Sequence, residues 1–289
     1  MTIRRKMTKA YTPPSQAGFL GKGHIARPVI QVDFVESDPF IVLMDDMLYK
    51  TDDIPVGGPH PHAGFETVSL ILEGEMGEEP HTMKEGDFEM MTAGSGVVHT
   101  ETISKPTKMR LLQLRLNLPK ADRHAPPRLQ RLAADEIPQI SEGGTTVRVY
   151  SGSFAGLTSP INNYTPVTIA EIRMKPGAST IQQIPARFNT FLYVIEGSIS
   201  LGEDRKLLSR DQVGWLDKYN DKAISELSIQ AGNDGGRFVL YSAEPQNHSI
   251  VSHGPFIADS MDDIRRLYSE YKQGKMAHIA EVASDLAGK

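Results

Sequence analysis

The chain has no cysteine among its 289 residues. This absence excludes disulfide bonds, cysteine-ligated zinc, iron–sulfur clusters and thiol nucleophiles. Basic residues are in the minority, and the formal net charge is −5 at pH 7. Because a nucleic-acid backbone is bound mainly through an excess of lysine and arginine, the composition argues against direct nucleic-acid binding.

Long hydrophobic runs are missing as well. No apolar stretch approaches the roughly 20 residues that cross a bilayer, so we expect no membrane segment. The first residues include Arg4, Arg5 and Lys6, but no hydrophobic segment follows them, and we therefore expect a cytoplasmic protein without a secretory signal. We interpret this basic cluster as a frayed, solvated terminus, and residues 1 to about 30 as irregular.

The patterns that are present are those of β-structure. Residues 109–118 alternate apolar and polar side chains, which predicts a long strand with one buried face. The apolar run at 67–72 and the glycine that follows predict a strand and a turn, and the chain re-enters a strand near Phe88. Further expectations are strands at 29–35 and 40–43, an acidic turn at 45–46, and a crossing between domains within residues 126–144.

The second half of the chain repeats the sequence pattern of the first. When Leu72 is superposed on Ile195, the apolar run before each falls on the other, as expected for a duplicated barrel. The same superposition places Gln183 on His60 and Pro185 on His62. The sequence therefore predicts that the second barrel keeps the fold and lacks the histidines of the first.

The end of the chain predicts helix. Ser260, followed three residues later by Asp263, resembles a capping box, and apolar residues recur at helical spacing from Met261 until Gly274. A second, shorter helix is expected around residues 280–286. We thus divide the chain into a first domain at 1–140, a second at 141–250 and a helical tail at 251–289.

Two pairs of polar residues stand out in the first domain. His60 and His62 are two residues apart, as are His99 and Glu101, and residues two apart in a strand point to the same face. If the pairs lie on neighbouring strands, three imidazoles and one carboxylate aim into one space. This ligand set suits a divalent first-row metal, and the same ligands accept iron, manganese, nickel, copper or zinc.

Several segments resemble the pirin family of the cupin superfamily. The resemblance is specific in GPHPHAGFETV at 58–68 and GDFEMMTAGSGVVHTE at 86–101, and it extends to DPFIVLMDD at 38–46 and HGPFI at 253–257. It implies an all-β fold of two tandem cupin barrels, or jelly rolls, with a short helical tail. It also implies metal in the first barrel only, usually iron, held by His60, His62, His99 and Glu101.

The resemblance further implies a metal-dependent dioxygenase similar to quercetin 2,3-dioxygenase, which opens the ring of a flavonol or a related enol. In such an enzyme the substrate is a small aromatic or enolic molecule, and Glu101 is a candidate general base. The alternative is a regulator without enzymatic activity, in which the iron alters binding to a partner protein. Oxygen consumption with flavonols would distinguish the two.

Some residues near the motifs receive no ligand role. Glu66 stands where many other cupins have a ligating glutamate, but pirins do not use it in this way. The connection at 75–83 is shorter than is usual in pirins, which affects the expected pocket, and His81 within it is expected to be exposed. His24 and His278 have no partner at ligand spacing and are given no role.

Overall fold

The computed structural model describes residues 2–77 and 82–282. His81 and most of the second predicted helix lie outside the described residues, although residues 279–282 are helical. Antiparallel strands dominate the described chain, and the expected all-β fold with tandem barrels is confirmed.

The elements are numbered in chain order. The helices are α1 (Phe34–Ser37) and α2 (Met261–Lys272), with a 3₁₀ turn at Lys120–Asp122. The strands are β1 (Ile3–Arg4), β2 (Met7–Tyr11), β3 (Gln16–Ala17), β4 (His24–Pro28), β5 (Phe40–Lys50), β6 (His60–His62), β7 (Phe65–Glu73), β8 (Glu75–Met76), β9 (Met83–Lys84), β10 (Phe88–Thr92), β11 (Val97–His99), β12 (Thr107–Asn117), β13 (Arg128–Leu132), β14 (Gln139–Glu142), β15 (Thr145–Ser151), β16 (Ser153–Phe154), β17 (Leu157–Thr158), β18 (Val167–Met174), β19 (Ser179–Pro185), β20 (Asn189–Leu201), β21 (Lys206–Ser209), β22 (Val213–Leu216), β23 (Ile224–Ala243), β24 (Val251–His253) and β25 (Phe256–Ala258).

The chain forms two compact units, and each unit combines distant parts of the sequence. One unit contains Ser15–Asp135 and Gln246–Lys289, and the other contains Met1–Pro14 and Glu136–Pro245. The sequence-based division placed the first 14 residues with the first barrel and treated the end of the chain as a separate tail. In the structure, each terminus instead belongs to the barrel that is remote from it in sequence.

The unit that contains the histidine motifs is built on a seven-stranded sheet. Its strand order is β13-β10-β7-β12-β5-β4-β3, and every neighbouring pair is antiparallel. The short ribbon β6–β11 lies outside this sheet. The long strand predicted at 109–118 is β12, which pairs with β7 on one side and β5 on the other.

The second unit repeats this order. Its main path runs β2-β22-β20-β23-β18-β15-β14, in which β20, β22 and β23 take the places of β7, β10 and β12. The superposition of Leu72 on Ile195 predicts the same correspondence. One position differs in origin, since the strand beside β22 is the N-terminal β2, whereas the strand beside β10 is β13.

Two local predictions for residues 29–46 were wrong. Residues 29–35 were expected to form a strand, but β4 ends at Pro28 and the chain turns into α1 after Asp33, whose carbonyl accepts from the N–H of Glu36 at 2.9 Å. The acidic turn expected at Asp45 and Asp46 is the middle of β5.

Both of those carboxylates are buried and partnered, which explains why a strand tolerates them. Asp45 accepts from Nε of Arg110 at 2.9 Å and also pairs with Arg27. Asp46 lies 2.9 Å from Nε2 of His24. Buried charges persist in a fold when they are paired and hydrogen-bonded in this way.

The N-terminal residues are ordered, in contrast to the frayed terminus expected from sequence. β1 pairs in parallel with β23, and β2 pairs with β22. Arg5 between them is fully buried, and its guanidinium donates to Asp217 and to the carbonyls of Pro185 and Phe188, each at 3.2 Å. The arginine thereby joins the first residues of the chain to the second barrel.

The predicted C-terminal helix is confirmed. α2 begins after Ser260, whose hydroxyl accepts from the N–H of Asp263 at 3.2 Å, and Gly274 adopts a φ of 67° shortly after the helix ends. Its buried face, Ile264 and Leu267, packs with Ala63 and Phe256 in one apolar cluster. The helix is therefore part of the core of the unit that contains the histidine motifs.

Replacing Arg5 should destabilise the protein, whereas replacing its neighbour should not. Arg5→Met removes the buried guanidinium from Asp217 and from the carbonyls of Pro185 and Phe188, although Asp217 keeps the donors of Lys6 and Tyr219. We expect a loss of about 2–3 kcal/mol in the free energy of unfolding. Arg4→Met breaks an ion pair with Glu203 in which both side chains are more than half exposed, and such pairs contribute about 0–1 kcal/mol. Urea denaturation of the two variants and the wild type measures the difference, and equal losses would contradict the role given to Arg5.

Candidate metal centre

The site is built on the ribbon of β6 and β11. In this antiparallel pair His60 lies directly opposite His99, and His62 lies opposite Val97. Side chains that face each other across such a pair point to the same side, and so do residues two apart in one strand. The register therefore brings the rings of His60, His62 and His99 onto one face.

The three rings lie close together. The centroid of His60 is 4.7 Å from that of His62 and 5.4 Å from that of His99, and those of His62 and His99 are 6.0 Å apart. One ring nitrogen from each residue lies within 4.8 Å of the other two. Three of the four residues proposed from the sequence are thus brought together as expected.

Glu101 lies at the edge of this trio. Its Oε1 is 4.0 Å from Nε2 of His99, too far for a hydrogen bond, and it accepts from Nε2 of Gln113 at 2.7 Å. Burial raises the pKa of Glu101, while His60 and the hydrogen bond from Gln113 act in the opposite direction. The carboxyl group is positioned beside the rings, but it is not within the group of three mutually close ligand atoms.

Two of the histidines are held in the protonation state that a metal ligand needs, and the third is oriented by a hydrogen bond. Nδ1 of His60 is 2.9 Å from the carbonyl of Gly58, and because a carbonyl only accepts, this nitrogen is the donor and Nε2 is directed away from that bond. Burial, with a smaller effect of nearby positive charge, lowers the pKa of His62 to about 2. Burial likewise lowers the pKa of His99 to about 4.

The residues present fit a divalent metal. One ring nitrogen of each histidine lies within 4.8 Å of the other two, close enough for a single ion to bind all three. Neutral imidazoles beside a carboxylate are the donors that such an ion prefers.

The C-terminal segment supports both histidine strands. The N–H of Ile257 donates to the carbonyl of Ala63 at 3.0 Å, next to His62. The N–H of Val98 donates to the carbonyl of Ala277 at 2.9 Å, next to His99. Gly64 allows the first contact because it has a φ of 84° and an added Cβ would lie 1.9 Å from the carbonyl oxygen of Ile257.

The rings of His60 and His62 line a cleft of about 610 Å³. A volume in this range, about 300–1,000 Å³, is typical of sites for small molecules. The walls are mixed and include apolar side chains as well as polar side chains of β12. The lining residues include Phe19, Leu20, Val56, Thr67, Gln113 and Arg115.

Sequence reasoning missed Gln113 and Arg115 as site residues. The alternation in β12 was interpreted as a strand with one buried and one solvated face, but these polar positions face the cleft. It also missed His278, whose Nε2 is 2.8 Å from the hydroxyl of Thr100, between His99 and Glu101. Glu66 is fully buried and accepts from the hydroxyl of Thr92 at 2.9 Å.

Comparisons of the sequence with known proteins match it to pirins. The family model described as Pirin matches residues 23–116, and the one described as Pirin C-terminal cupin domain matches residues 169–277. The protein named Pirin from Homo sapiens is 32% identical over 286 residues, which cover 95% of each chain.

Solved structures agree with this result. A structure titled quercetin 2,3-dioxygenase, from Acinetobacter baumannii, superposes with a TM-score of 0.82 at 26% identity, covering 96% of this chain and 99% of that one. Bacterial pirin YhhW from Escherichia coli, in complex with nickel(II), has a TM-score of 0.61 at 14% identity and covers 82% of this chain and 100% of that one. The second likeness concerns the fold alone.

Duplicated antiparallel sheets, with a histidine cluster on a short ribbon of the first unit, define a two-domain cupin. Within that superfamily, the chain belongs to the pirin family. No helix in the described residues is long and apolar enough to cross a membrane.

Removing one imidazole should abolish metal binding. In His60→Ala we expect nickel affinity to fall by more than the roughly 10–100-fold that loss of an outer-shell partner costs. His248→Ala is the matched control, since His248 is exposed and does not belong to the cluster. Elemental analysis and calorimetric titration of the metal-free proteins measure the effect, and full metal content in His60→Ala would overturn the ligand assignment.

The buried histidines should also make the metal-free protein sensitive to acid. An unfolded histidine has a pKa of about 6.5, so as the pH falls below that value the unfolded state takes up protons that the folded state does not. Stability is therefore full above pH 6.5 and is lost progressively towards the folded pKa of His99, about 4. The loss from this residue amounts to about 3 kcal/mol.

Denaturation at pH 7 and pH 4.5, with chelator present, tests the acid sensitivity. His99→Gln does not titrate and should lose less stability between the two pH values than the wild type. Identical losses in the two proteins would contradict the proposed origin of the effect.

Proposed function

We propose that the protein is a metal-dependent dioxygenase of the quercetin 2,3-dioxygenase type, which cleaves the ring of a flavonol or a related enol. His60, His62, His99 and Glu101 would hold the metal, with iron(II) as the ion and manganese, nickel, copper or zinc as chemically acceptable replacements. The observation that carries the proposal is a cluster of three imidazoles, two of which, with Glu101, line a cleft for a small molecule.

An ion with only these protein ligands retains open coordination positions. Sites that only stabilise a fold are usually closed by protein ligands, whereas sites that perform chemistry keep a position for water or substrate. When bound, the metal would supply Lewis acidity toward the substrate hydroxyl and the means to react with dioxygen. The access provided by the cleft therefore favours chemistry over a purely structural role.

Glu101 is the proposed general base. Its pKa is raised by burial, and a carboxylate with a raised pKa takes a proton from an acidic enol more readily at neutral pH. The hydrogen bond from Gln113 to Oε1 fixes the orientation of the carboxyl group. Gln113 is thus a positioning residue for the proton transfer.

The apolar wall of the cleft suits a flat aromatic substrate. Phe19, Leu20 and Val56 line it together with the polar residues of β12. Phe19 is 79% exposed, so its ring is available for stacking at the rim. The structural likeness to a protein titled quercetin 2,3-dioxygenase gives the same class of substrate.

Oxygen uptake tests the proposal directly. The iron-loaded wild type should consume oxygen when quercetin is added, and neither the chelated protein nor His60→Ala should do so. Glu101→Gln should lower turnover per bound metal by at least about 100-fold, the usual contribution of a general base. Glu73→Gln is the control because Glu73 is exposed and pairs with Lys108.

If quercetin and a panel of related enols cause no oxygen uptake in protein with full iron content, the dioxygenase proposal is wrong. The regulator suggested by family resemblance would then be tested by recovering a partner protein with iron-loaded and metal-free samples.

A further inference from the structure

Arg115 occupies an unusual place for a charged side chain. It lies on β12 with Thr67 of β7 opposite on one side and Val42 of β5 opposite on the other, so its strand is in the interior of the sheet. It is two residues from Gln113, and both side chains line the cleft beside the histidines. A half-buried guanidinium at such a position needs a physical reason.

The other buried arginines of this unit have evident partners. Arg110 donates to Asp45 through two nitrogens, at 2.9 and 2.8 Å. Arg123 bonds the carbonyl of Gly64 at 2.9 Å and lies 3.3 Å from Asp259. In each case the guanidinium contributes to the structure by neutralising or bridging groups of the protein.

Arg115 makes no comparable contact within residues 2–77 and 82–282. Its guanidinium carbon is 5.2 Å from the centroid of the Phe65 ring, a cation–π contact that fixes the side chain without using its N–H donors. The ring of Phe65 in turn lies 5.3 Å from that of His62. The donors of Arg115 are thus held in the cleft beside the candidate metal centre.

The positive charge of Arg115 acts on two other groups that line the cleft, His62 and Glu101. Burial lowers the pKa of Arg115 while the nearby Glu101 raises it, and an arginine remains protonated under such influences. Its positive charge helps to lower the pKa of His62 and opposes the rise in the pKa of Glu101. A negative group of a ligand that enters the cleft would meet this same charge.

We infer that Arg115 binds a carboxylate of the substrate, so that the preferred substrate is an aromatic or enolic acid with its hydroxyl toward the histidines. This inference rests on the proposed function insofar as the cleft is taken as the substrate site. A guanidinium matches a carboxylate with two parallel N–H donors, which the ammonium of lysine cannot reproduce. Arg115 would then determine specificity, separating acids from neutral enols of the same shape.

Calorimetric titration of the nickel-loaded protein under nitrogen tests the inference without turnover. The probes are salicylate, which has a carboxylate beside its hydroxyl, and salicylamide, which is neutral and of similar shape. The wild type should bind salicylate roughly 10- to 100-fold more tightly, as expected when a buried charged group gains its partner.

Two variants separate the charge from the packing. Arg115→Met keeps an apolar stem against Phe65 and should lose most of the preference that the wild type shows, and the remainder measures direct chelation of the nickel by salicylate. Arg115→Lys keeps the charge and should retain part of the preference. Arg265→Met is the control, because Arg265 is an exposed residue of α2, and it should behave as the wild type.

A wild type that binds the two probes equally, or fails to bind salicylate, would overturn the inference. So would an Arg115→Met variant that keeps the full preference. If Arg115 served only to offset the charge of Glu101, Arg115→Met would change nickel affinity and leave the preference intact. The dioxygenase proposal is judged separately by oxygen uptake, so either proposal can fail without the other.

Discussion

The candidate site depends on the pairing of β6 with β11. The ribbon has three residues in each strand, and its register places His60 against His99 and leaves His62 on the same face. A shift of one residue would turn the histidines of one strand to the opposite side. Everything inferred about metal binding therefore follows from one short antiparallel register.

So short a ribbon does not hold its register unaided. An isolated two-stranded hairpin is at best marginally stable in water. In this protein, backbone hydrogen bonds from Ile257 and to Ala277 attach the two strands to the C-terminal segment, and α2 packs its apolar face into the same cluster as Ala63. The helical tail is thus structural support for the site, although it supplies none of the three histidines.

The two barrels use the same strand order for different interiors. In the first, polar groups on β12 line an open cleft. In the second, a large apolar cluster that includes Leu192, Phe238 and Leu240 fills one face of the sheet. The first interior is arranged around a cavity, and the second around close packing.

Structural features that depend only on residues close together in the sequence could be predicted. The spacing of His60 and His62, the alternation in β12 and the cap at Ser260 each report a local backbone geometry. Features that depend on distant residues could not. The residues near Arg5 in the sequence do not indicate that its guanidinium is buried against Asp217 and Phe188. The pairing of Asp45 with Arg110 likewise depends on β5 lying beside β12 in the folded sheet. The direction in which Gln113 and Arg115 face depends likewise on how the sheet closes, which alternation alone does not specify.

The exchange of chain ends between the units has a consequence for biosynthesis. The ribosome makes Met1–Pro14 long before the barrel to which they belong, and it makes Gln246–Lys289 long after the barrel that those residues complete. Ile257 and Ala277, which brace the histidine strands, emerge only after the whole second barrel has been made. The braced form of the histidine cluster therefore becomes possible only after the second barrel has been synthesised.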